Sequence, residues 1–268
     1  MALGIVSFKG VYYHTDINLD SPVYKFYSLQ RFLEAVNNKQ MYFRNIIYWD
    51  DNWELPTRLF ETSGLDEYSA FLFNKYNIFP TFASCFTSHF DTASMWQIYS
   101  PNKSGVCIET TARALLKEIS LFSEPMLSVC YAPVIYVNVN ISSPEAIFNQ
   151  ERAEEYPAHF YFPFIKRDAF SYEHEIRLAI HPGSIHRDQR GLTMPVDMRK
   201  VINKVILDPR LTKDEVSYHK TSLNKLGFHA VRSSLFTDVK YNGKDYEEII
   251  KKVDHGTTIT GTKFNFFE

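Results

Sequence analysis

Cysteine is scarce: Cys85, Cys107 and Cys130 are the only three. None forms a Cys-x-x-Cys pair and the number is odd, so a disulfide framework is not expected; free thiols in a reducing compartment are. No apolar run reaches the 18 residues or so of a transmembrane helix. The opening segment, Met-Ala-Leu-Gly-Ile-Val-Ser-Phe-Lys-Gly, holds no secretory hydrophobic core. An excess of one charge is also missing, with 29 Lys and Arg against 31 Asp and Glu. No global field therefore points to nucleic acid or to an anionic membrane, although a local basic groove stays open. There is no G-x-G-x-x-G after a strand, no G-x-x-x-x-G-K-[ST], no H-E-x-x-H and no G-x-S-x-G. The nine histidines show no ligand spacing. Together these absences set aside a zinc site and a Rossmann cofactor fold, and they describe an intracellular, cytoplasmic protein without a membrane span.

What is abundant is apolar and aromatic surface, 45% and 16% of 268 residues. That is enough for a sizeable core. One domain is expected over 1–268, with its core at about 22–235 and a C-terminal extension at 236–268. Pro22 follows a turn, and 23–27 reads as a strand. Ser28 reads as the N-cap of a helix over Leu29–Asn38, with Leu29, Phe32, Leu33 and Val36 at helical spacing. Strands follow at 40–47, 79–86, 106–110, 126–136 (ending near Pro133), 201–207 and 230–234. Helices are expected at 65–76, 92–99, 112–121, 144–156 and 212–226. Strands and helices do not alternate regularly, so the class is α+β rather than a doubly wound sheet.

The stretch Tyr172-Glu173-His174-Glu175-Ile176-Arg177 places two carboxylates two residues apart at the mouth of an apolar run. In a strand beginning near Tyr172, Glu173, Glu175 and Arg177 share one face. Like charges that close raise each other's pKa or demand a cation. Two readings stand. In one, both are exposed on an edge strand and bridged by Arg177 or Lys166. In the other, Glu175 projects into a cleft and stabilises developing positive charge. Ser84 lies on a buried strand, and Trp96 and Tyr99 follow on a short helix. They are either core residues or a stacking platform with polar neighbours for a flat heteroaromatic ring. Strand alternation puts Lys25 and Tyr27 on one face and Tyr24 on the other. A lysine there guards a sheet edge or meets an anion such as phosphate. Asp50, Asp51 and Glu54 form either a solvated acidic loop or a metal site, and Asp50 and Asp51 with Glu173 and Glu175 would make the metal site of a nuclease.

Several blocks together resemble a bacterial family of domains of unknown function. They are Tyr24-Lys25-Phe26-Tyr27-Ser28, Trp49-Asp50-Asp51-Asn52-Trp53-Glu54, Cys85-Phe86-Thr87, Met95-Trp96-x-x-Tyr99, Gly105-Val106-Cys107-Ile108-Glu109, Lys166, Tyr172-Glu173-x-Glu175-x-Arg177 and Ile202-x-x-Val205-Ile206-Leu207. The resemblance covers about 22–235; the run ending at Glu54 lacks the proline usual there. The order of motifs also resembles the ADP-ribosyltransferase fold, whose split β-core carries an Arg or His on the first strand. Lys25 stands in that place. The resemblance implies NAD as co-substrate, which needs no Rossmann fingerprint. It implies Glu175 as the glutamate that stabilises the oxocarbenium-like carbon, and Glu173 as the group that positions or deprotonates the acceptor. It further implies Trp96 stacked on nicotinamide, Lys25 at the ribose or pyrophosphate, and Tyr24, Tyr27, Ser84, Tyr99 and Arg177 around the co-substrate. The implied acceptor is RNA or protein, as for toxins of phage-defence toxin–antitoxin systems. The tail, with a helix expected over 245–252 and the end Phe264-Asn265-Phe266-Phe267-Glu268, either docks on a partner such as an antitoxin or chaperone or pairs back onto the core. The remaining alternative is a non-catalytic module that binds a nucleotide or partner through its aromatic face.

Overall fold

The computed structural model describes residues 5–8, 11–15, 17–51, 67, 81–119, 128–138, 162–182, 189–236, 248 and 251. Apart from residues 67, 248 and 251, the helices expected at 65–76, 144–156 and 245–252, and the loop residues 52–54, lie outside the described residues. The chain divides into two compact units, Met1–Leu235 and Phe236–Glu268, and the elements below belong to the first.

In chain order these elements are β1 (Ile5–Phe8), β2 (Val11–His14), β3 (Pro22–Ser28), α1 (Leu29–Asn38), β4 (Gln40–Asn45), β5 (Phe82–Thr87), α2 (Ala93–Tyr99), β6 (Gly105–Thr111) and α3 (Ala112–Ile119). They continue with β7 (Ser128–Pro133), β8 (Ile135–Val137), β9 (Ile165–Arg167), β10 (Glu175–His181), β11 (Gly191–Pro195), α4 (Met198–Val201), β12 (Lys204–Leu207), α5 (Lys213–Lys225) and β13 (Ala230–Arg232). The class is α+β. The main sheet runs β1-β2-β7-β10-β5-β3-β6-β12-β13, with β4 and β11 branching from β5. Most pairs are antiparallel, while β2–β7 and β12–β13 are parallel, as is the separate pair β8–β9.

Local chemistry explains much of this. Ser28 caps α1 by accepting from the Arg31 N–H, and Lys39 closes it in the left-handed region at φ 50°. Thr92 caps α2 through the Met95 N–H. Thr212 and Glu215 form a reciprocal capping box on α5. Two expected boundaries move. Residues 201–207 are not one strand: Asp197 caps the short helix α4, which ends at Val201, and the strand starts at Lys204. The strand expected from Tyr172 starts at Glu175, because Asp168–Glu173 winds into a 3-10 helix and His174 reverses the chain in the left-handed region at φ 42°. Holding a non-glycine residue there costs about 1–3 kcal/mol and needs outside support.

Strand alternation sorts the side chains into two layers. On one face, Val23, Phe86, Ile108, Leu178 and Val205 pack with Phe32 and Val36 of α1, Leu115 and Leu116 of α3, Met198 of α4 and Leu223 of α5. The other face is covered in two separate places. Ala83, Cys130, Ala132 and Ala179 pack with Ile135, Phe164 and Ile165 around the β8–β9 pair. Cys107 and Ile206 pack with Trp96 of α2, and Tyr24 and Phe26 lie against them.

Between these two covers the sheet is split. One edge of β5 pairs fully with β10. Its other edge is shared, pairing with β3 only at Tyr24↔Thr87 and with β4 at Arg44↔Ala83 and Asn45↔Phe82. Ser84, Cys85 and Phe86 have no described ladder partner on that side.

The turn from α2 into β6 depends on a close approach at Gly105. The Ser100 hydroxyl accepts from the Gly105 N–H at 2.9 Å and donates to the buried Asp208 at 2.7 Å. A Cβ at Gly105 would lie 2.7 Å from the Ser100 Cβ. Gly105→Ala is therefore expected to destabilise the protein by about 1–3 kcal/mol, read from urea unfolding. A wild-type midpoint would refute this account of the turn.

Candidate active site at the sheet split

The cleft forms where β10 begins. The 3-10 turn brings Glu173 back over the strand end, and three contacts hold it there. The Thr87 hydroxyl donates to the Glu173 carbonyl at 2.5 Å, the Ser88 N–H donates to the His174 carbonyl at 3.2 Å, and the Val134 N–H donates to the Glu175 carbonyl at 2.9 Å. The β8–β9 pair then supplies the counter-charge. Tyr136 and Lys166 stand opposite each other in its register. The Tyr136 hydroxyl accepts from the Glu175 N–H at 2.9 Å, and the Lys166 ammonium donates to Glu173 at 2.7 Å and to Glu175 at 2.9 Å.

Arg177 completes the cluster from beneath. It is fully buried, donates from Nε to Glu175 Oε1 at 2.7 Å and from a terminal nitrogen to Oε2 at 3.2 Å, and reaches the Pro163 carbonyl at 2.5 Å. Its guanidinium lies over the Trp49 ring at 4.4 Å. Two anions and two cations are thus buried together, with net charge zero.

Neither sequence reading of the glutamate pair is complete. The cations are the two the first reading names, Lys166 and Arg177. The setting is that of the second: Glu173, in the 3-10 turn, and Glu175, at the start of an interior strand, are 6% and 5% exposed and line a cleft. The two carboxylates also differ. Glu175 accepts from Arg177 twice and from Lys166, which fills most of the roughly four acceptor positions of a carboxylate. Glu173 accepts from Lys166 through Oε2, and its Oε1 takes no hydrogen bond from any described residue. Burial alone would raise the Glu175 pKa, but Arg177 and Lys166 outweigh it and bring it down to about 2. Burial, reinforced by that carboxylate, pushes the Cys85 thiol well up, so it stays protonated.

Across the split stands Lys25. Its ammonium donates to the Cys85 carbonyl at 3.0 Å, the group that the interrupted ladder leaves open. It lies 5.3 Å from the Tyr27 and Phe86 ring centroids. Burial lowers the Lys25 pKa, with Cys85 and Glu175 opposing the shift.

The cleft on the doubly covered face has a volume of about 390 Å³, and Tyr24, Lys25, Phe26, Cys85, Thr87, Tyr99, Lys166, Glu173 and Glu175 are among its walls. A larger groove of about 960 Å³ adjoins it and shares Lys25, Phe26, Arg44 and Tyr99. Of the residues expected at the site, Glu173, Glu175, Tyr24, Lys25 and Tyr99 line the smaller space and Tyr27 lines the larger. Burial first, then the charge of Glu109, pushes the Tyr24 pKa up to about 12.

Two expected residues are elsewhere, and a third lies behind the wall. Trp96 is fully buried. On the seven-residue helix α2, Met95 and Trp96 turn inward while Ile98 and Tyr99 turn out, and the indole N–H is held by Asp91 at 3.1 Å. Trp96 therefore offers no face for a ring to stack on. Phe26 covers it edge-on at 5.0 Å and itself stacks on Tyr99 at 5.3 Å, so Phe26 and Tyr99 form the aromatic wall. Ser84 alternates with Cys85 onto the helix-covered face, where its hydroxyl has no partner. Arg177 sits behind Glu175 rather than in the cleft. The sequence reading missed the parts played by Tyr136, Thr87 and the Cys85 carbonyl. Only the spacing of Cys85 and Thr87, two apart on a strand, hinted at a shared face.

The carboxylates of the alternative metal site are engaged. Glu173 and Glu175 hold Lys166, Asp51 holds Arg167 at 2.6 Å, and Asp50 lies 3.8 Å from Arg44. Among the described residues no three His, Cys, Asp or Glu side chains gather as a metal cluster, and no helix is long and apolar enough to cross a membrane.

Residues 95–178 match a family described as "Protein of unknown function (DUF2971)". The matched stretch runs from α2 through the glutamate pair to the middle of β10. No curated protein and no solved structure matches the chain.

The depressed Glu175 pKa makes stability pH-dependent, with a definite sign. Its folded value of about 2 lies below the ordinary 4.5, so its contribution is complete above about pH 5 and is lost as pH falls toward 2. The loss is about 3 kcal/mol. In Glu175→Gln this acid limb should flatten, from a baseline lower by about 3–5 kcal/mol because Arg177 loses its counter-ion. Urea unfolding across pH 2–7 measures both, and an unchanged acid slope in the variant would count against the cluster.

Proposed function

We propose that the cleft breaks the nicotinamide–ribose bond of NAD and transfers the ADP-ribosyl group to an acceptor. One juxtaposition carries this reading: the split sheet brings Lys25 and the Glu173–Glu175 pair onto one small cleft, beside the stacked Phe26–Tyr99 wall.

Breaking that bond sends its electron pair out with neutral nicotinamide and leaves positive charge on the ribosyl carbon. A fixed, water-poor negative group opposite that carbon lowers the barrier, because it needs no reorganisation when the charge appears. Glu175 meets the requirement. It is ionised at neutral pH and most of its acceptor positions are occupied internally, so it acts through its field. Glu173 keeps an open oxygen and takes the proton of the attacking acceptor as the new bond forms at the ribosyl carbon. Tyr99 offers a 40% exposed ring for the nicotinamide. Lys25 faces the phosphate side. No described carboxylate lies within ion-pair distance of it, so an anionic ligand would pair it.

The acceptor is a macromolecule, RNA or protein. Incubating the full chain and cell extract with NAD labelled in its adenylate half should release nicotinamide and label that acceptor. Glu173→Gln should lower turnover about 10²–10⁴-fold with a smaller loss of melting temperature than Glu175→Gln, because Lys166 keeps Glu175. The reading is abandoned if the wild type releases no nicotinamide, or if Glu173→Gln and Glu175→Gln both release it at the wild-type rate.

A further inference from the structure

The cations of this protein are unevenly compensated. Lys166, Arg167, Arg177, Arg113, Lys204 and Arg210 each lie within 2.9 Å of a carboxylate oxygen. The groove of about 960 Å³ beside the cleft is different. Arg31, Arg44 and Arg190 line it, and Lys25 stands at its junction with the cleft. No described carboxylate pairs with Arg31, Arg190 or Lys25. Arg44 meets only the exposed Asp50, at 3.8 Å, and spends a hydrogen bond on the Tyr48 carbonyl. The one acidic residue on the groove wall, Glu34, already accepts from Gln30 at 2.9 Å. The walls also carry Tyr42 and Tyr48, 48% and 37% exposed, with the Arg190 guanidinium 5.6 Å from the Tyr48 ring.

Size gives the second half of the argument. A space of about 390 Å³ lies near the lower bound for ligand pockets. It suits one nucleoside-sized portion of a dinucleotide, so the remainder must continue past Lys25 and Arg44. We infer that the groove lined by Arg31, Arg44 and Arg190 receives the diphosphate and second nucleoside of the dinucleotide. This inference rests on the glycosyl-transfer reading of the adjoining cleft. Guanidinium groups suit the diphosphate because their planar donors match phosphate oxygens two at a time. The exposed tyrosines suit a base by stacking.

ADP, which carries the diphosphate and nucleoside but no nicotinamide riboside, probes the groove alone. Calorimetric titration of the full chain with ADP should show one site. The double variant Arg31→Ala plus Arg190→Ala should weaken it at least about tenfold. Neither guanidinium has a hydrogen-bond partner among the described residues, so the melting temperature should hold. Arg44→Lys, which keeps the charge but not the fork, should weaken ADP to a smaller extent. In NAD turnover the same double variant should show its loss in KM rather than kcat. ADP affinity unchanged in the double variant overturns the inference. So does a single-stranded oligonucleotide that loses binding in that variant while ADP does not, since the groove would then be an acceptor site. ADP binding that depends on the arginines, without nicotinamide release by the wild type, keeps the groove assignment and removes the glycosyl-transfer reading.

Discussion

The structure around the cleft depends on one interaction, the closed charge cluster of Lys166, Glu173, Glu175 and Arg177. Burying four ions costs several kcal/mol each, and the Coulombic gain offsets that only where geometry is good and the other polar atoms are satisfied. Both conditions hold for Glu175, whose oxygens and backbone N–H are all engaged. They hold for Arg177, which adds a carbonyl and an aromatic face to its carboxylate. Glu173 is the exception, with one oxygen taking no hydrogen bond from a described residue. The cluster is therefore fully satisfied on the side facing the core and keeps acceptor capacity on the side facing the cleft.

That arrangement explains why the sheet splits where it does. A continuous ladder between β3 and β5 would satisfy the Cys85 carbonyl with a backbone donor and close the space above Glu175. Here β3 keeps one residue pair with β5 and then diverges, and β4 takes up the far end of the same edge. The Lys25 ammonium fills the missing donor position. A buried backbone carbonyl without a partner costs as much as a lost hydrogen bond, so this lysine stabilises the opening that it also lines. An apolar residue at this position would leave that carbonyl without its donor, which is a structural reason for a cation on this strand.

Local chemistry made much of the frame legible. Ser28, Thr92 and Thr212 announce their helices, and the apolar spacing in 29–38 gives α1 its boundaries because capping and periodicity act over a few residues. The alternation in β3 placed Lys25 and Tyr27 together and Tyr24 opposite them. Where tertiary contacts decide, the same rules fail. Nothing between Tyr172 and Glu175 marks a left-handed residue at His174, because the turn is held by Thr87 and Ser88 from a strand 86 residues away in sequence. Trp96 is a large aromatic on the helix after β5, and size suggested a platform. The inward face of a short helix and the Asp91 carboxylate made it core instead. Arg44 and Arg190 carry no local signature, because β4 and β11 meet only through their pairing.

A neutral cluster beside an uncompensated cationic groove gives the combined space a polarity. An anionic ligand gains little at the Glu173–Glu175 end, where the anions are already matched and a further negative charge is repelled. It gains most where guanidinium groups lack partners. A ligand with one neutral or cationic end and one polyanionic end is thus oriented before any specific contact forms. Lys25 stands at the boundary, bonded to a carbonyl on one side and without a carboxylate partner on the other. Under the proposed glycosyl transfer, nicotinamide would leave neutral, positive charge would develop on a carbon beside Glu175, and the phosphates would stay by the guanidinium groups. The matched and the unpartnered charges thus occupy separate regions, and the split in the sheet keeps the two sets apart.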